Sequence, residues 1–419
     1  MTAAICKTVL ANGVRIVSLP MAHTRSVSLG VWVNAGARDE SDPEKGLSHF
    51  IEHMIFKGTH KRSAFQIARE FDAIGGHTNA FTTMEHTCYH AKVLDTQIET
   101  MVEILSDIFL NSVFDPREVE RERPVILQEI GMVEDSPEEL IHTLACSNFW
   151  GDHPLGRSIL GTRETVAQFS AEAIHGFFQP ARIVVAAAGH VDHSRLVDLV
   201  GPAFESVHGG NGFPPRTPPA GRSQVTIHPR DLEQVHICLG TQGLSMVDPQ
   251  RYALSLLNTI LGGNMSSRLF QEVREKRGLA YAVYSFIAAH ADTGMFGVYL
   301  AVSPEQAAPA AELVAAELGR IAREPIDPAE LKGALEYTKG SLLLASESAD
   351  NQMVRVAQNE ILLEADIPLE EVIARLGAVT REEIQQLAQS LFRADRTMLT
   401  LLGPVDTPKA VFENGLLRR

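Results

Sequence analysis

The segment Arg182-Ile-Val-Val-Ala-Ala-Ala-Gly189-His-Val-Asp192 aligns without gaps, at one constant offset, with Arg396-Thr-Met-Leu-Thr-Leu-Leu-Gly403-Pro-Val-Asp406. Gly46-Leu-Ser-His49 likewise lines up with Ala253-Leu-Ser-Leu256. Between the halves runs Gly209-Gly-Asn-Gly-Phe-Pro-Pro-Arg-Thr-Pro-Pro-Ala-Gly221, whose four Pro and four Gly cannot propagate helix or central strand. Internal self-similarity of this kind marks a duplication, so the chain has to fold as two copies of one architecture. Each half reads as strands, then helices, then strands. We therefore expect the α+β class: two duplicated domains, residues 1–208 and 222–419 joined by a linker at 209–221, each a mostly antiparallel sheet packed against helices. A length of 419 residues accommodates two such domains.

Local signals fill in the first half. Lys7–Ala11 and Val14–Val17 flank Asn12-Gly13, a pair suited to a type I′ hairpin turn. A strand is expected over Val27–Val33. Asp42-Pro43-Glu44 opens a helix expected to run to Phe56 and stop at Gly58, with Leu47, Phe50, Ile51, Met54 and Ile55 as its apolar stripe. A second helix, Ser63–Ile74, ends at Gly75-Gly76, and a strand is expected over Thr87–Val93. Two long amphipathic helices follow, Asp95–Leu110 and Pro116–Val133, and Ser136-Pro137-Glu138-Glu139 starts another.

Several functions are disfavoured by composition. A net charge of −15, from 52 acids and 37 bases, lacks the basic footprint of a nucleic-acid binder and suits a cationic partner. No apolar run approaches the ~20 residues of a membrane span. After Met1 the chain reads Thr-Ala-Ala-Ile-Cys-Lys, with no basic n-region before an apolar h-region. A cytoplasmic, bacterial-type setting is expected, and a mature organellar matrix protein fits the same sequence. Cys6, Cys88, Cys146 and Cys238 match no thiolate zinc spacing, so any metal site must use His and carboxylate.

His49-Phe-Ile-Glu52-His53 is such a site in outline. Residues four apart share a helix face, so His49 and His53 can present two imidazoles to one tetrahedral Zn²⁺. Glu52, three residues from His49, projects toward the same place, where a carboxylate can take a proton from an attacking water. The pattern is the inverted form of the H-E-x-x-H zinc-peptidase helix. The plain alternative is two surface histidines beside a glutamate. Against it, the apolar stripe makes this a packed helix, and polar groups at a core border need partners. In the second half, Leu256, Thr259 and Ile260 face His49, Glu52 and His53, so the scaffold itself does not require polar residues there. A catalytic zinc needs a third protein ligand and one open position. Glu122 and Glu129, seven apart on one helix face, are both candidates, and periodicity does not choose between them.

At this point the sequence resembles the pitrilysin-type inverzincin peptidases, in particular the family of the mitochondrial processing peptidase β subunit and its bacterial relatives. The matching segments are Gly46-Leu-Ser-His-Phe-Ile-Glu-His-Met-Ile-Phe-Lys-Gly-Thr59, Gly75-Gly-His-Thr-Asn-Ala-Phe-Thr82, Glu120-Arg-Glu-Arg-Pro-Val-Ile-Leu-Gln-Glu-Ile130 and Ser267-Arg-Leu-Phe-Gln-Glu-Val-Arg-Glu-Lys-Arg-Gly-Leu-Ala-Tyr281. They span both halves. The resemblance implies a processing-peptidase or LuxS-like metallohydrolase fold, with Glu129 as third zinc ligand, one Zn²⁺ per chain, and Glu122 as a supporting carboxylate outside the ligand set. It implies that Asn79 and Ala80 lie on an edge strand that pairs with the substrate backbone. Phe56 would wall the site beyond the cleaved bond, a core role being the alternative. Arg274 and Tyr281 would contact the substrate carbonyl and stabilise its oxyanion.

In this family that Arg/Tyr pair faces the zinc across a clamshell, and two domains are half a clamshell. The resemblance thus implies a homodimer, or a heterodimer with a related chain, in which Arg274 and Tyr281 act on the partner's zinc. The expected activity is hydrolysis of unfolded, extended peptides or presequences with basic preference inside a closed chamber. Two departures weaken strict presequence specificity. Glu139 occupies one position of the acidic pocket for arginine, but Thr143 replaces a carboxylate at another, and the glycine-rich loop shrinks to Gly262-Gly263-Asn264. The competing reading is a non-catalytic partner or structural subunit of the same family. Such members lose motif residues, and here all are present.

Overall fold

The computed structural model describes residues 4–178, 182–207, 215–409 and 412. Its first sheet contains β1 (Cys6–Val9), β2 (Arg15–Pro20), β3 (Ser26–Val33), β4 (His77–Thr82), β5 (Thr87–Leu94) and β6 (Ile183–Gly189), in the order β1-β2-β6-β3-β5-β4. The second contains β7 (Val225–Pro229), β8 (Val235–Gln242), β9 (Ala280–Ala289), β10 (Gly294–Val302) and β11 (Met398–Gly403), in the order β7-β11-β8-β10-β9. Without β1 the two orders coincide strand for strand. Each sheet is antiparallel except for one pair, β2 with β6 and β7 with β11. The α+β duplication expected from the sequence is therefore the architecture formed. The aligned segments hold β6 and β11, and both end on a left-handed glycine, Gly189 at φ +124° and Gly403 at φ +140°. A Cβ there would lie 2.2 Å from the Ser26 carbonyl oxygen or 2.5 Å from that of Gln234.

The helices are α1 (Leu47–Met54), α2 (Ala64–Ala73), α3 (Ile98–Leu110), α4 (Pro116–Asp135), α5 (Pro137–Trp150), α6 (Arg163–Val166), α7 (Ala171–Phe177), α8 (His193–Phe204), α9 (Arg251–Gly262), α10 (Ala307–Arg323), α11 (Pro328–Ala345), α12 (Ala349–Leu362), α13 (Leu369–Ala378) and α14 (Arg381–Leu391). The chain forms two compact units. One takes the described residues of Met1–Gly131, Arg157–Pro215 and Leu343–Asp366; the other takes those of Met132–Gly156, Arg216–Leu342 and Ile367–Arg419. Relative to the sequence halves 1–208 and 222–419, helices α5 and α12 change places. Of the linker at 209–221, residues 209–214 lie outside the described ones, and 215–221 carry no helix or strand.

In the first unit both faces of the sheet are buried. Ile183, Val185 and Ala187 of β6 join the core beneath α1, α3 and α4, while Val184, Ala186 and Ala188 pack with Trp32 against Met353, Val356 and Ala357 of α12. Burial on both faces explains why β6 is apolar at every position. In the second unit α5 covers β8 and β11. That contact is more polar: the Tyr284 hydroxyl donates to Glu138 Oε1 at 2.8 Å, and Asn148 Nδ2 donates to Thr400 Oγ1 at 3.0 Å.

Two local expectations are corrected. The β1–β2 turn is not type I′, because Asn12 is not among the residues with positive φ whereas Gly13 is, at +88°. Gly13 N–H donates to Leu10 O and Leu10 N–H to Val14 O, both at 2.9 Å, which makes a three-residue loop ending on a left-handed glycine. The Asn12 side chain is committed elsewhere, donating to the Phe204 and Val207 carbonyls at 2.7 and 2.9 Å at the end of α8. The expected helix from Asp42 starts only at Leu47. Asp42-Pro43-Glu44 makes a separate 3-10 turn, and Gly46, at φ +93°, breaks the chain direction. The buried Glu40 carboxylate then caps α1, accepting from Gly46 N–H at 2.8 Å and Ser48 N–H at 2.7 Å.

Candidate metal centre

Leu47, Phe50, Ile51 and Met54 anchor α1 in the first core. With that face fixed, His49 and His53 stand one turn apart on the adjoining face, ring centroids 4.7 Å apart. Helix α4 is held by Val119, Ile126 and Ile130 in the same core. It presents Glu122 and Glu129, two turns apart, to the two histidines.

The two glutamates differ in what they meet. Glu129 Oε2 lies 3.6 Å from His49 Nε2 and 3.5 Å from His53 Nε2. Glu122 lies behind, with Oε1 2.8 Å from His53 Nδ1 and Oε2 2.5 Å from Lys57 Nζ. Ligands bonded to one tetrahedral zinc at its usual N and O distances lie about 3.4 Å from each other. The separations around Glu129 suit that arrangement, and the donor set of two imidazoles and a carboxylate is a zinc set. Among the described residues, His49, His53 and Glu129 are the one group of three or more His, Cys, Asp or Glu side chains whose ligand atoms converge, all within 4.8 Å.

Protonation favours the same use. Burial, with a smaller contribution from His53, pushes the His49 imidazole down to about 4, so it stays neutral near pH 7. Among the described residues its Nδ1 is buried without a hydrogen-bond partner, so packing orients that ring. His53 is half-buried and has the Glu122 carboxylate at Nδ1. A proton placed there donates to Glu122 and leaves the Nε2 lone pair facing Glu129 and His49. Burial by itself would raise the Glu122 carboxyl; the bonds from Lys57 and His53 outweigh it and hold the group below the usual carboxylate range.

Glu52, next to His53, is half-buried, and burial raises its carboxyl above the ordinary value. The Thr82 hydroxyl donates to its Oε2 at 2.6 Å. Thr82 ends β4, the last strand of the first sheet, which among the described residues pairs with β5 only. Asn79 and Ala80 lie in the middle of that strand, opposite His90 and Tyr89, and the Ala80 N–H is taken by Asn79 Oδ1 at 2.9 Å. Phe56 is partly buried against the first core.

The remaining expected residues belong to the second unit. Glu139 is exposed on α5, and Thr143 Oγ1 donates to its carbonyl at 3.3 Å one turn on. Arg274 sits in a π-helical turn, Phe270–Glu275, with its guanidinium 4.8 Å from the ring centroids of both Phe270 and Tyr281. Tyr281 is 81% exposed, so it is no core residue. In α9, Leu256 and Ile260 are buried in the second core, and Thr259 Oγ1 donates to Ser255 O at 3.0 Å.

Sequence reading alone missed two neighbours of the site, Lys57 and Thr82. Lys57 had a signal, since it follows His53 by four residues and so shares its face. Thr82 had none, because only strand β4 brings it to Glu52.

No helix of the described residues is long and apolar enough to cross a membrane. Residues 15–163 match the insulinase-type peptidase family M16, and residues 167–337 match the domain described as the peptidase M16 inactive domain. A Bacillus subtilis protein named as an uncharacterized zinc protease is 41% identical over 397 residues, covering 94% of this chain and 97% of that protein. One of the same description from Streptomyces coelicolor is 39% identical over 417 residues, covering 96% and 90%. Among solved structures, a peptidase M16 inactive domain from Pseudomonas fluorescens and a protease from Helicobacter pylori each superpose with a TM-score of 0.90, covering 96% of this chain and all of theirs. At 19% and 20% identity these two carry the fold alone. The full-length similarity to the bacterial zinc proteases, with both domain matches in order, places the chain in the peptidase M16 family.

Proposed function

We propose that the chain is a zinc metalloendopeptidase that hydrolyses extended peptides, with His49, His53 and Glu129 holding one Zn²⁺ per chain. The supporting observation is the convergence of two Nε2 atoms and one carboxylate oxygen beside a second, half-buried carboxylate, that of Glu52. When bound, Zn²⁺ supplies a Lewis acid that polarises a peptide carbonyl and acidifies water. Glu52 takes the proton of the attacking water and passes it to the leaving amine, the role for which a raised carboxyl is suited. Thr82 fixes which Glu52 oxygen is free to do so. Glu122 orients His53. The open edge of β4 pairs with the substrate main chain once Ala80 N–H leaves Asn79 Oδ1, which makes binding tolerant of sequence. Phe56 borders the segment beyond the cut.

Arg274 and Tyr281 complete the site in trans from a second copy of the chain, or from a related one, and donate to the developing oxyanion within a dimeric chamber. Tyr281 carries its hydroxyl on an exposed ring stacked under a guanidinium, as that task requires. The net charge of −15 and the exposed Glu139 favour basic peptides. The test is Glu52→Gln assayed on a quenched basic peptide. The variant is expected to keep its zinc and to lose hydrolysis by at least 100-fold; hydrolysis at the wild-type rate would overturn the reading.

A further inference from the structure

Resting on that ligand set, we propose that Lys57 is a positioning residue of the metal centre: its ammonium pins the Glu122 carboxylate in the orientation that fixes the His53 ring with Nε2 toward the ion. The two histidines are held in different ways. His49 is 6% exposed and its ring is clamped by packing. His53 is half-buried, and its one side-chain hydrogen bond among the described residues runs from Nδ1 to Glu122 Oε1 at 2.8 Å. The orientation of His53 is therefore only as good as that of Glu122.

Glu122 cannot hold itself. The terminal torsion of a glutamate is broad, and a single hydrogen bond leaves the carboxylate plane free to turn about it. Lys57 removes that freedom by taking the other oxygen, Oε2, at 2.5 Å. Glu122 is 6% exposed, so water does not readily reach this carboxylate in place of the ammonium. Lys57 is itself well placed to act as a fixed point. Its N–H donates to Met54 O at 3.0 Å in the last turn of α1, and Gly58, at φ +136°, turns the chain immediately afterwards. Glu122 is its ion-pair partner among the described residues. The relay runs from Lys57 to Glu122 to His53 Nε2, and groups at that remove from a metal commonly govern affinity by 10–100-fold.

The test compares zinc dissociation constants, by chelator competition, in the full-length wild type, Lys57→Met, Lys57→Arg, Glu122→Gln and the Lys57→Met/Glu122→Gln double variant. Zinc-free thermal midpoints serve as the control for folding. Lys57→Met, which keeps the aliphatic stem, is expected to weaken zinc at least about 10-fold with a midpoint close to wild type, and Lys57→Arg to recover most of the loss. The double variant is expected to bind zinc no worse than Glu122→Gln alone, because Lys57 acts through that carboxylate. A wild type that binds zinc tightly while Lys57→Met matches it overturns the Lys57 role alone. Additive losses in the double variant do the same. A wild type that binds no zinc overturns this role together with the proposed ligand set.

Discussion

The Thr82 hydroxyl and the Glu52 carboxylate are joined by a 2.6 Å hydrogen bond between the end of an edge strand and the zinc-motif helix. One side chain thus ties the strand expected to receive substrate to the group expected to move protons. Thr82→Val keeps the β-branched shape and removes the donor. It is expected to lower kcat by about 10–100-fold with KM and zinc content nearly unchanged, and Thr82→Ser to restore most of it. Steady-state kinetics with metal analysis checks this.

Tyr281→Phe removes one hydroxyl from an exposed ring and leaves its contact with Arg274 in place. If the hydroxyl serves an oxyanion, kcat falls by about 10–1000-fold while zinc binding and thermal stability stay put. Mixing Tyr281→Phe with Glu52→Gln then tests action in trans: the two impaired homodimers are expected to rise to about a quarter of the wild-type activity on subunit exchange. No recovery, with exchange shown by mass, would place the tyrosine elsewhere.

Burial pushes the Glu40 carboxyl up to about 7, against the Gly46 and Ser48 N–H groups that lower it. The unfolded chain releases that proton near the ordinary glutamate value of 4.5. Between those values the folded state holds more protons at Glu40, so that group's contribution to stability falls as pH rises from about 4.5 to about 7 and is flat above, against the opposite slope from His49, which burial holds down at about 4. The contribution amounts to at most about 3 kcal/mol. Glu40→Gln is expected to remove that falling component, so that stability gains more (or loses less) than wild type as pH rises from about 4.5 to about 7 in urea denaturation of the zinc-free protein.

Met353 of α12 is fully buried, and Trp32 Nε1 donates to its sulfur at 3.3 Å. Met353→Ala is expected to cost about 2–5 kcal/mol. The same packing predicts that residues 1–208 expressed alone expose Trp32, Val184 and Ala186 and aggregate, and that adding a peptide of residues 343–366 improves their solubility. Light scattering reads both.

The duplication, the strands β1, β2, β3 and β5 and the His49–His53 face were legible because periodicity and helical spacing are local. The start of α1 was not. Asp42-Pro43-Glu44 carries every signal of a helix opening, and only the left-handed Gly46 and the cap from Glu40 reset it to Leu47. The exchange of α5 and α12 was illegible for a related reason: an amphipathic pattern says that a face is buried, not which sheet buries it. Glu122 and Glu129 look alike in sequence, being in line on α4. What separates them is height along His53, one at Nδ1 and the other at Nε2.

Whether His49, His53 and Glu129 hold a zinc ion is read out by zinc content per chain, from elemental analysis of wild type, His49→Ala, His53→Ala and Glu129→Gln. One zinc per wild-type chain is expected, and less than a tenth of that in either histidine variant, with Glu129→Gln reduced as well. Full zinc retention in His49→Ala or His53→Ala would contradict it.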